Sequence, residues 1–255
     1  DERDELLDLL TTKALVQTVR LTPTRFQHSA DAQLGLSTGD DHAFNDSASY
    51  ATAEQLSAEE RLSAAATNTG APSITDRQRA EQILDSVTVG DGHSLAPDQR
   101  EAALRLATAD QSLSALIGPA GTGKTTCLSA LRQVWEDEHG PGSIVGLAPS
   151  AVAASVLGKE IDVPTDNVAK WLWESEGPGA ANRLDKIETT RQQMTRLLDE
   201  LPETPTAQQQ RTLRRLNATL TELETTQDRY QMRPGQMVIV DEASMAGTHS
   251  LDRPV

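Results

Sequence analysis

The sequence lacks the features of a secreted or membrane protein. Only one of its 255 residues is a cysteine, Cys127, so no disulfide can form within the chain. No apolar run approaches the roughly 18 residues that a membrane span needs. We therefore expect a cytoplasmic protein with no membrane partner, and we interpret Cys127 as a buried structural thiol rather than a redox sensor.

Aromatic residues and positive charge are scarce as well. Phe, Trp and Tyr supply 3% of the residues, which leaves few large side chains to anchor a core. The chain carries 38 Asp and Glu against 23 Lys and Arg, a formal net charge of −15 at pH 7, whereas proteins that bind nucleic acid usually present a basic surface. Any binding of DNA by this chain is therefore expected to be weak and sensitive to salt.

One segment, in contrast, carries a complete chemical motif. Residues 118–125 read G-P-A-G-T-G-K-T, which fits the phosphate-binding pattern G-x-x-x-x-G-K-[ST]. The glycines allow backbone N–H groups to wrap a triphosphate. Lys124 is expected to reach the β- and γ-phosphates, and the Thr125 hydroxyl to bind Mg²⁺. We expect ATP and Mg²⁺ as cofactors. The predicted nucleotide-binding residues are Gly118, Pro119, Ala120, Gly121, Thr122, Gly123, Lys124, Thr125 and Thr126.

This pattern is meaningful only where a strand precedes the loop and a helix follows it. The mostly apolar run at 112–117 predicts a buried strand. Apolar residues spaced three and four apart predict a helix from Thr125 to about Glu138. These two flanks argue against a chance glycine loop.

A second apolar run, at 237–240, leads directly into Asp241 and Glu242. Ligands of parallel sheets bind at the carboxyl ends of the strands. We therefore predict that Asp241 holds Mg²⁺ through water and that Glu242 acts as the base on the attacking water. Adjacent acids at a strand end are otherwise solvated turn residues, and it is the upstream loop that favours the catalytic interpretation. The candidate catalytic residues are Lys124, Asp241 and Glu242.

A third predicted strand, at 143–147, supplies a family resemblance. It runs into Pro149, Ser150 and a stretch of small residues. The order of phosphate loop, G-L-A-P-S-x-x-A-A and D-E-A-S-M resembles superfamily 1B DNA helicases of the RecD-like group, and more narrowly the helicase part of conjugative relaxases of the MobF type. The resemblance covers roughly residues 45–255. It implies an α/β fold, a RecA-like P-loop NTPase lobe with a parallel sheet.

The resemblance also assigns roles outside the loop. Gln99 matches the glutamine that reads the adenine edge in such helicases, although it is also compatible with an exposed helix residue. Pro149 and Ser150 match the stretch that contacts the backbone of single-stranded DNA. The family usually has threonine where this chain has Ser150, so the hydroxyl remains, and a plain helix cap is the alternative.

We expect two regions along the chain. Residues 1–93 form a mainly helical N-terminal or linker region, with helices around Thr52–Ala66 and Thr75–Val87, and residues 94–255 form the ATP-binding lobe. Leucine stripes separated by two prolines predict a helical-hairpin insertion at 183–231. Trp171 and Trp173, just before it, are interpreted as anchors of this hairpin in preference to base-stacking residues.

The hairpin has two open interpretations. It is either a packed helical insertion or, as the resemblance implies, a subdomain that guides the duplex. In the second case Arg211, Arg214 and Arg215 would face DNA phosphates.

The resemblance implies the motor lobe of a DNA helicase that couples ATP hydrolysis to translocation on a single strand and to unwinding during conjugation. A second RecA-like lobe is expected beyond Val255, and an upstream relaxase domain is expected because histidines and tyrosines here form no metal-and-nucleophile set. Without the second lobe's arginines, worth roughly 10³–10⁵ in turnover, this chain should hydrolyse ATP poorly. The alternatives are another P-loop enzyme, such as a nucleotide kinase, and a non-catalytic nucleotide-binding remnant.

Overall fold

The computed structural model describes residues 50–89, 92–119 and 121–253, together with residues 3, 6, 13–14 and 18–20. The chain divides into two compact units, Asp1–Ser63 and Ala64–Val255. The second unit thus begins upstream of residue 94, where we expect the ATP-binding lobe to start, and that boundary stays a prediction.

The first unit contains a short antiparallel pair of strands and most of a helix. Strand β1 (Thr18–Arg20) pairs with β2 (Tyr50–Thr52). Helix α1 (Ala53–Ala65) follows at once. Its first turn is closed by the Thr52 hydroxyl, which accepts a hydrogen bond from the backbone N–H of Gln55 at 3.0 Å. The helix expected around Thr52–Ala66 is therefore confirmed.

The second unit is built around a three-stranded parallel sheet. Strands β5 (Ile144–Ala148), β6 (Thr165–Asn167) and β7 (Met237–Val240) lie in the order β6-β5-β7. Leu147 pairs with Val240, and Ala148 with Asn167. A separate antiparallel pair, β3 (Thr88–Val89) and β4 (His93–Ser94), precedes the sheet in the chain. The α/β fold with a parallel sheet is as predicted.

Helices make up most of the remaining structure. They are α2 (Arg77–Ser86), α3 (Pro97–Thr108), α4 (Lys124–His139), α5 (Ala151–Ile161), α6 (Val168–Ser175), α7 (Pro178–Asp199), α8 (Ala207–Arg229) and α9 (Thr248–Asp252), with a 3₁₀ turn at Ala243–Met245. No helix in the described ranges is long and apolar enough to cross a membrane.

The sheet is covered on both faces, which explains the continuous apolar run of its central strand. All five residues of β5 are buried. Ile144 belongs to the larger core, with residues of α2 to α5, whereas Val145 and Leu147 belong to a second core with Trp171 and Tyr230. Because side chains alternate along a strand, these neighbours serve opposite faces. A strand buried in this way needs no polar residues.

The strand predicted at 112–117 does not form, so that prediction is wrong. The bridge between Thr69 and Gln111 is isolated, and the backbone N–H of Leu113 donates to the carbonyl of Ala65 at 3.1 Å. These bonds attach the segment to the turn after α1 instead of to the sheet. Ile117 is 92% exposed. An apolar run becomes a strand only where another strand lies beside it, and here no described strand pairs with 112–117.

Helices α7 and α8 form the predicted hairpin. Ile187 and Leu220 are buried, and Arg191 on α7 forms an ion pair with Glu224 on α8 at 2.6 Å. Helix α7 already begins at Pro178, before the predicted start at residue 183, because proline is favourable in the first turn of a helix.

Candidate phosphate-binding site

The phosphate loop is a tight turn that ends at the start of α4. Gly121 and Gly123 have φ angles of +78° and +76°, in the left-handed region that favours glycine. The Thr122 hydroxyl donates to the carbonyl oxygen of Pro119 at 2.9 Å and closes the turn. Ala120, one of the predicted nucleotide-binding residues, lies outside the described residues. The helix predicted after the loop is confirmed as α4.

The Lys124 ammonium group is folded back onto this loop. Its Nζ atom donates to the carbonyl oxygens of Gly118, at 2.7 Å, and Pro119, at 3.0 Å. These oxygens carry only partial negative charge, so a triphosphate in the loop would be a stronger partner for the ammonium. Lys124 therefore lies over the loop, where it could exchange these carbonyls for phosphate oxygens.

Gln99 contacts the loop from helix α3. Its Nε2 atom donates to the carbonyl oxygen of Thr122 at 3.1 Å, while its Oε1 atom accepts from the backbone N–H of Ala96 at 3.2 Å. A Cβ atom on Gly123 would lie 2.2 Å from that Nε2. Gln99 therefore packs directly on the loop, and the role in reading adenine stays a prediction.

Asp241 and Glu242 follow β7 as predicted. The backbone N–H of Asp241 donates to the carbonyl of Leu147 at 2.9 Å and extends the sheet by one residue. The Asp241 carboxylate accepts from the backbone N–H of Glu242 at 2.9 Å. Glu242 itself has φ +50° and ψ +37°, a left-handed conformation that costs a non-glycine residue about 1–2 kcal/mol. Such strain is concentrated at functional sites.

One long-range contact fixes the direction of α4 relative to β7. The Trp135 indole N–H donates to the carbonyl oxygen of Gly235, just before β7, at 3.0 Å. Trp135 lies about 16 Å along α4 from Lys124, and β7 is about 13 Å long. Helix α4 thus runs antiparallel to β7, so Lys124 and Asp241 both lie at the carboxyl end of the strands.

Ser150 and Pro149 lie at the same edge, directly after β5. The Ser150 hydroxyl accepts a hydrogen bond from the backbone N–H of Ala153 at 3.1 Å and caps α5. The helix cap is therefore observed, and the contact with DNA stays a prediction.

A cavity of about 320 Å³ opens beside the start of α4. We call it the side cavity. Its lining consists of Val87, Thr88, Thr125, Thr126, Ser129, Gln133 and Glu160. The polar side chains among these have no hydrogen bond or ion pair with another described residue. The side cavity is therefore open, polar and contiguous with the phosphate loop.

Comparison with known proteins assigns the domain. A sequence profile of an AAA domain matches residues 94–255, well over half of the chain, including the loop and both acids. The chain belongs to the AAA domain family.

Two curated proteins are similar to part of this chain. The probable conjugal transfer protein TraA of Sinorhizobium fredii (strain NBRC 101917 / NGR234) is 33% identical over 79 residues, and the conjugal transfer protein TraA of Rhizobium radiobacter is 33% identical over 81 residues. Each match covers 31% of this chain and 7% of the relative. The chain therefore spans a small part of the length of these relatives. No solved structure matches it significantly.

The arginines of the hairpin in this AAA domain fall into two groups, those that bind another described residue and those that form no ion pair with one. Arg183 is 5% exposed and binds Glu174 at 2.5 Å and Gln227 at 2.9 Å. The guanidinium groups of three exposed arginines on α8 form no ion pair with another described residue. These are the predicted Arg211, Arg214 and Arg215.

The two tryptophans before the hairpin differ. Trp171 is 4% exposed and packs on Tyr230, with ring centroids 5.4 Å apart, as expected of an anchor. Trp173 is 52% exposed, so it is only partly an anchor, and it lies against Gly179.

Cys127 lies on α4, one turn after the loop. It is 1% exposed, and burial raises the pKa of its thiol to about 11. The neutral thiol is a poor nucleophile, which agrees with a structural role.

Sequence reasoning missed a buried carboxylate in this AAA domain. Asp166, 9% exposed on β6, accepts hydrogen bonds from the Tyr230 hydroxyl at 2.8 Å and from Lys170 Nζ at 2.9 Å. Only the Lys170 contact, four residues along, had a local spacing that could have suggested it. Tyr230 is distant in sequence, and nothing local connects it with Asp166.

Proposed function

We propose that residues 94–255 form the ATP-binding lobe of a DNA helicase motor and that residues 1–93 form its linker region. In this proposal the lobe works in conjugative DNA transfer, as part of a longer protein. The observation that supports the proposal is the antiparallel run of α4 against β7, which directs the phosphate loop toward the end of the sheet where Asp241 and Glu242 follow β7. Loop, metal ligand and base must meet there if a nucleotide is to be hydrolysed.

The residues present fit a magnesium nucleotide. Mg²⁺ prefers oxygen ligands and keeps several waters, and the hydroxyl of Thr125 and the carboxylate of Asp241 supply such oxygens. Bound there, the metal would neutralise developing phosphate charge. Lys124 leaves the carbonyls of Gly118 and Pro119 for the β- and γ-phosphates. Glu242, exposed beyond the strand end, orients the attacking water and accepts its proton.

Mg²⁺-dependent binding of a fluorescent ATP analogue tests this first step. We expect saturable binding that Lys124→Ala abolishes and that Lys186→Ala, an exposed lysine on α7, leaves unchanged. Circular dichroism establishes that each variant is folded. Binding that is insensitive to Lys124→Ala in a folded chain would contradict the assigned site.

The DNA part of the proposal rests on charge and position. Arg211, Arg214 and Arg215 form no ion pair within the described part of a chain of net charge −15, and phosphates are the natural partners of such groups. Pro149 and Ser150, at the nucleotide edge of the sheet, are the second proposed contact with a single strand. Single-stranded DNA bound at that edge would be coupled to the nucleotide site through β5 and β7.

Fluorescence anisotropy of a labelled single strand at low salt tests the hairpin contact. Arg214→Glu with Arg215→Glu should weaken binding at least tenfold and reduce its salt dependence by about two phosphate contacts. Arg77→Glu with Arg105→Glu changes the net charge equally at exposed positions elsewhere. Equal losses for the two pairs would show a net-charge effect and remove the hairpin contact.

The wider protein is proposed from its relatives. The two similar proteins are named for conjugal transfer, so we propose that this lobe acts beside a second RecA-like lobe and an upstream relaxase domain. Reading the gene in frame beyond Val255 tests this, because arginine motifs of a second lobe should follow. An in-frame stop close to Val255 would favour a non-catalytic nucleotide-binding remnant.

A further inference from the structure

We propose that Trp173 stacks on a base of single-stranded DNA and that Lys170, beside it on α6, binds the phosphate backbone together with Arg229. This contact rests on the proposed function, since it requires a single strand at the nucleotide edge of the sheet. None of the three residues is among the DNA contacts that the sequence predicts, and for Trp173 the sequence favours an anchoring role.

Trp173 is an exposed aromatic residue whose ring is held in a fixed position. It is 52% exposed, whereas Trp135 and Trp171 are 2% and 4% exposed. Its indole lies against Gly179, where a Cβ atom would be 2.6 Å from the indole Cδ1 and 2.7 Å from Nε1. Gly179 lies within α7 and its φ is not positive, and glycine is less favourable than alanine in a helix. The glycine therefore makes room for the indole, which is packed on one part and open to solvent on the rest.

A ring held in this way suits the stacking of a base. Proteins that bind single strands place aromatic side chains beside positive charges that follow the backbone, and successive bases stack on these rings. A base that covers the exposed part of Trp173 removes apolar surface from water. Because packing on Gly179 already restricts the indole, little side-chain freedom is lost when the base binds.

Positive charge lies beside this ring. Lys170 precedes Trp173 by three residues on α6, so their Cβ atoms are about 5–6 Å apart on the same side of the helix. The Lys170 ammonium and the Arg229 guanidinium contact the same Oδ2 atom of Asp166, at 2.9 and 3.6 Å. One carboxylate cannot neutralise two cations, and both cations are half-exposed. A positive charge therefore remains for a phosphate next to the ring.

The acidic residues that follow Trp173 do not oppose a phosphate there. Glu174 pairs with Arg183 at 2.5 Å, and Glu176 pairs with Arg253 at 2.9 Å. Neither carboxylate thus adds an uncompensated negative charge. This place is positive on a chain of net charge −15, which favours a polyanion as the partner that covers the indole.

Helix α6 begins at the edge of the sheet that carries the other proposed contact with a single strand. Asn167, the last residue of β6, pairs with Ala148, the last residue of β5. Ser150 follows Ala148 by two residues, and α6 follows Asn167 directly. Since neighbouring strands of a sheet are about 4.7–4.9 Å apart, the two contacts are adjacent. DNA bound at Ser150 needs few further nucleotides to reach Trp173.

An abasic strand separates stacking from charge, because it has the phosphates of an oligothymidine and none of its bases. Fluorescence anisotropy of each labelled strand at low salt gives both affinities for every variant. Trp173→Leu should weaken binding of the oligothymidine by about tenfold and leave the abasic strand unchanged. Trp173→Phe should retain most of the affinity, since phenylalanine also stacks. Gly179→Ala keeps the indole but displaces it, so binding of the oligothymidine alone should weaken.

The phosphate contact has its own variant and control. Lys170→Gln should weaken both strands equally and reduce the salt dependence by about one phosphate contact. Lys186→Gln, at an exposed lysine on α7, measures the effect of net charge alone. Equal losses for the two lysine variants would remove the phosphate contact from the proposal.

The remaining outcomes decide the role of Trp173. If Trp173→Leu weakens both strands equally, the tryptophan is structural, and if it weakens neither, the exposed indole faces a protein surface; either result overturns the proposal. Where circular dichroism shows that Trp173→Leu is unfolded, Gly179→Ala decides by the same comparison. Failure of the proposed function looks different, because the wild-type chain would then bind neither strand.

Discussion

The Tyr230 hydroxyl donates a hydrogen bond to the carboxylate of Asp166 across 2.8 Å, and this bond joins the end of the hairpin to the edge strand β6. Lys170 binds the same carboxylate at 2.9 Å, and Arg229 lies 3.6 Å from it. Asp166 is therefore a buried charge with two cations beside it. The hairpin is held to the edge of the sheet next to the proposed nucleotide site by this cluster.

Tyr230→Phe should destabilise the chain by about 1.5–3 kcal/mol, because it removes one hydrogen bond to a charged group. The aromatic packing on Trp171 remains in the variant. Urea denaturation followed by circular dichroism measures the change. Tyr50→Phe, at the other tyrosine of the chain, serves as the control for loss of a phenol elsewhere. An equal loss in both variants would contradict a specific role for the Asp166 bond.

The same tyrosine predicts a dependence of stability on alkaline pH. Burial, followed by the hydrogen bond to Asp166, raises the pKa of Tyr230 above its usual value of 10.0. The folded chain thus holds the phenol proton more tightly than the unfolded chain. This stabilisation is complete below pH about 10 and is lost as the pH rises through the raised pKa. The difference in unfolding free energy between wild type and Tyr230→Phe should therefore shrink as the pH rises above about 10, and a constant difference would refute the prediction.

Local sequence patterns predict those helices and strands that are marked by regularly spaced apolar residues or by a continuous apolar run. The spacing of apolar residues predicts helix α4 and the hairpin, and short apolar runs predict strands β5 and β7. Asp166 and Arg183 were missed because their burial depends on Tyr230 and Gln227, which local spacing does not reveal. The composition of the run at 112–117 predicts a strand, but composition does not supply a pairing partner.

The candidate site was predicted in part for the same reason. The loop pattern and the acids after β7 are contiguous in sequence, so their positions could be read directly. The partners of Gln99 could not, because the Thr122 carbonyl is a backbone group that carries no sequence signal. The left-handed conformation of Glu242 could not be predicted either, because a positive φ is uncommon for glutamate.

The hydrogen bond from Trp135 on α4 to Gly235, just before β7, should contribute measurably to stability. Trp135 is 2% exposed and donates to Gly235. Trp135→Phe removes the donor and leaves the carbonyl unpaired, so we expect a loss of about 1–3 kcal/mol, and Trp135→Ala should cost about 3–5 kcal/mol. Trp173→Phe, at a half-exposed position, should stay within about 0.5 kcal/mol. Urea denaturation midpoints, compared at constant slope, measure the stability of all three variants. Similar losses for the Trp135 and Trp173 variants would contradict a specific role for the hydrogen bond to Gly235.

Two loop glycines should differ in their response to alanine. Both have positive φ, so each substitution carries a strain of about 1–2 kcal/mol. A Cβ at Gly121 meets nothing within 4 Å, whereas one at Gly123 collides with Gln99. Gly123→Ala should therefore weaken binding of the ATP analogue more than Gly121→Ala does. Gly70→Ala, with positive φ and open space outside the loop, should lower stability and leave affinity unchanged. The reverse order of the two loop variants would contradict the packing of Gln99 on Gly123.

The strained backbone of Glu242 predicts a stabilising substitution at a proposed catalytic position. Glu242→Gly relieves about 1–2 kcal/mol of left-handed strain against about 0.5–1 kcal/mol of added freedom in the unfolded chain. We expect a net gain of about 0.5–1 kcal/mol in the free energy of unfolding. Glu242→Gln keeps the strain and removes the charge, so it should leave stability nearly unchanged. Equal gains in both variants would mean that charge, not backbone strain, governs this position. Since the proposed role of Glu242 is on the attacking water, both variants should still bind the ATP analogue with Mg²⁺ while losing whatever turnover the wild type shows.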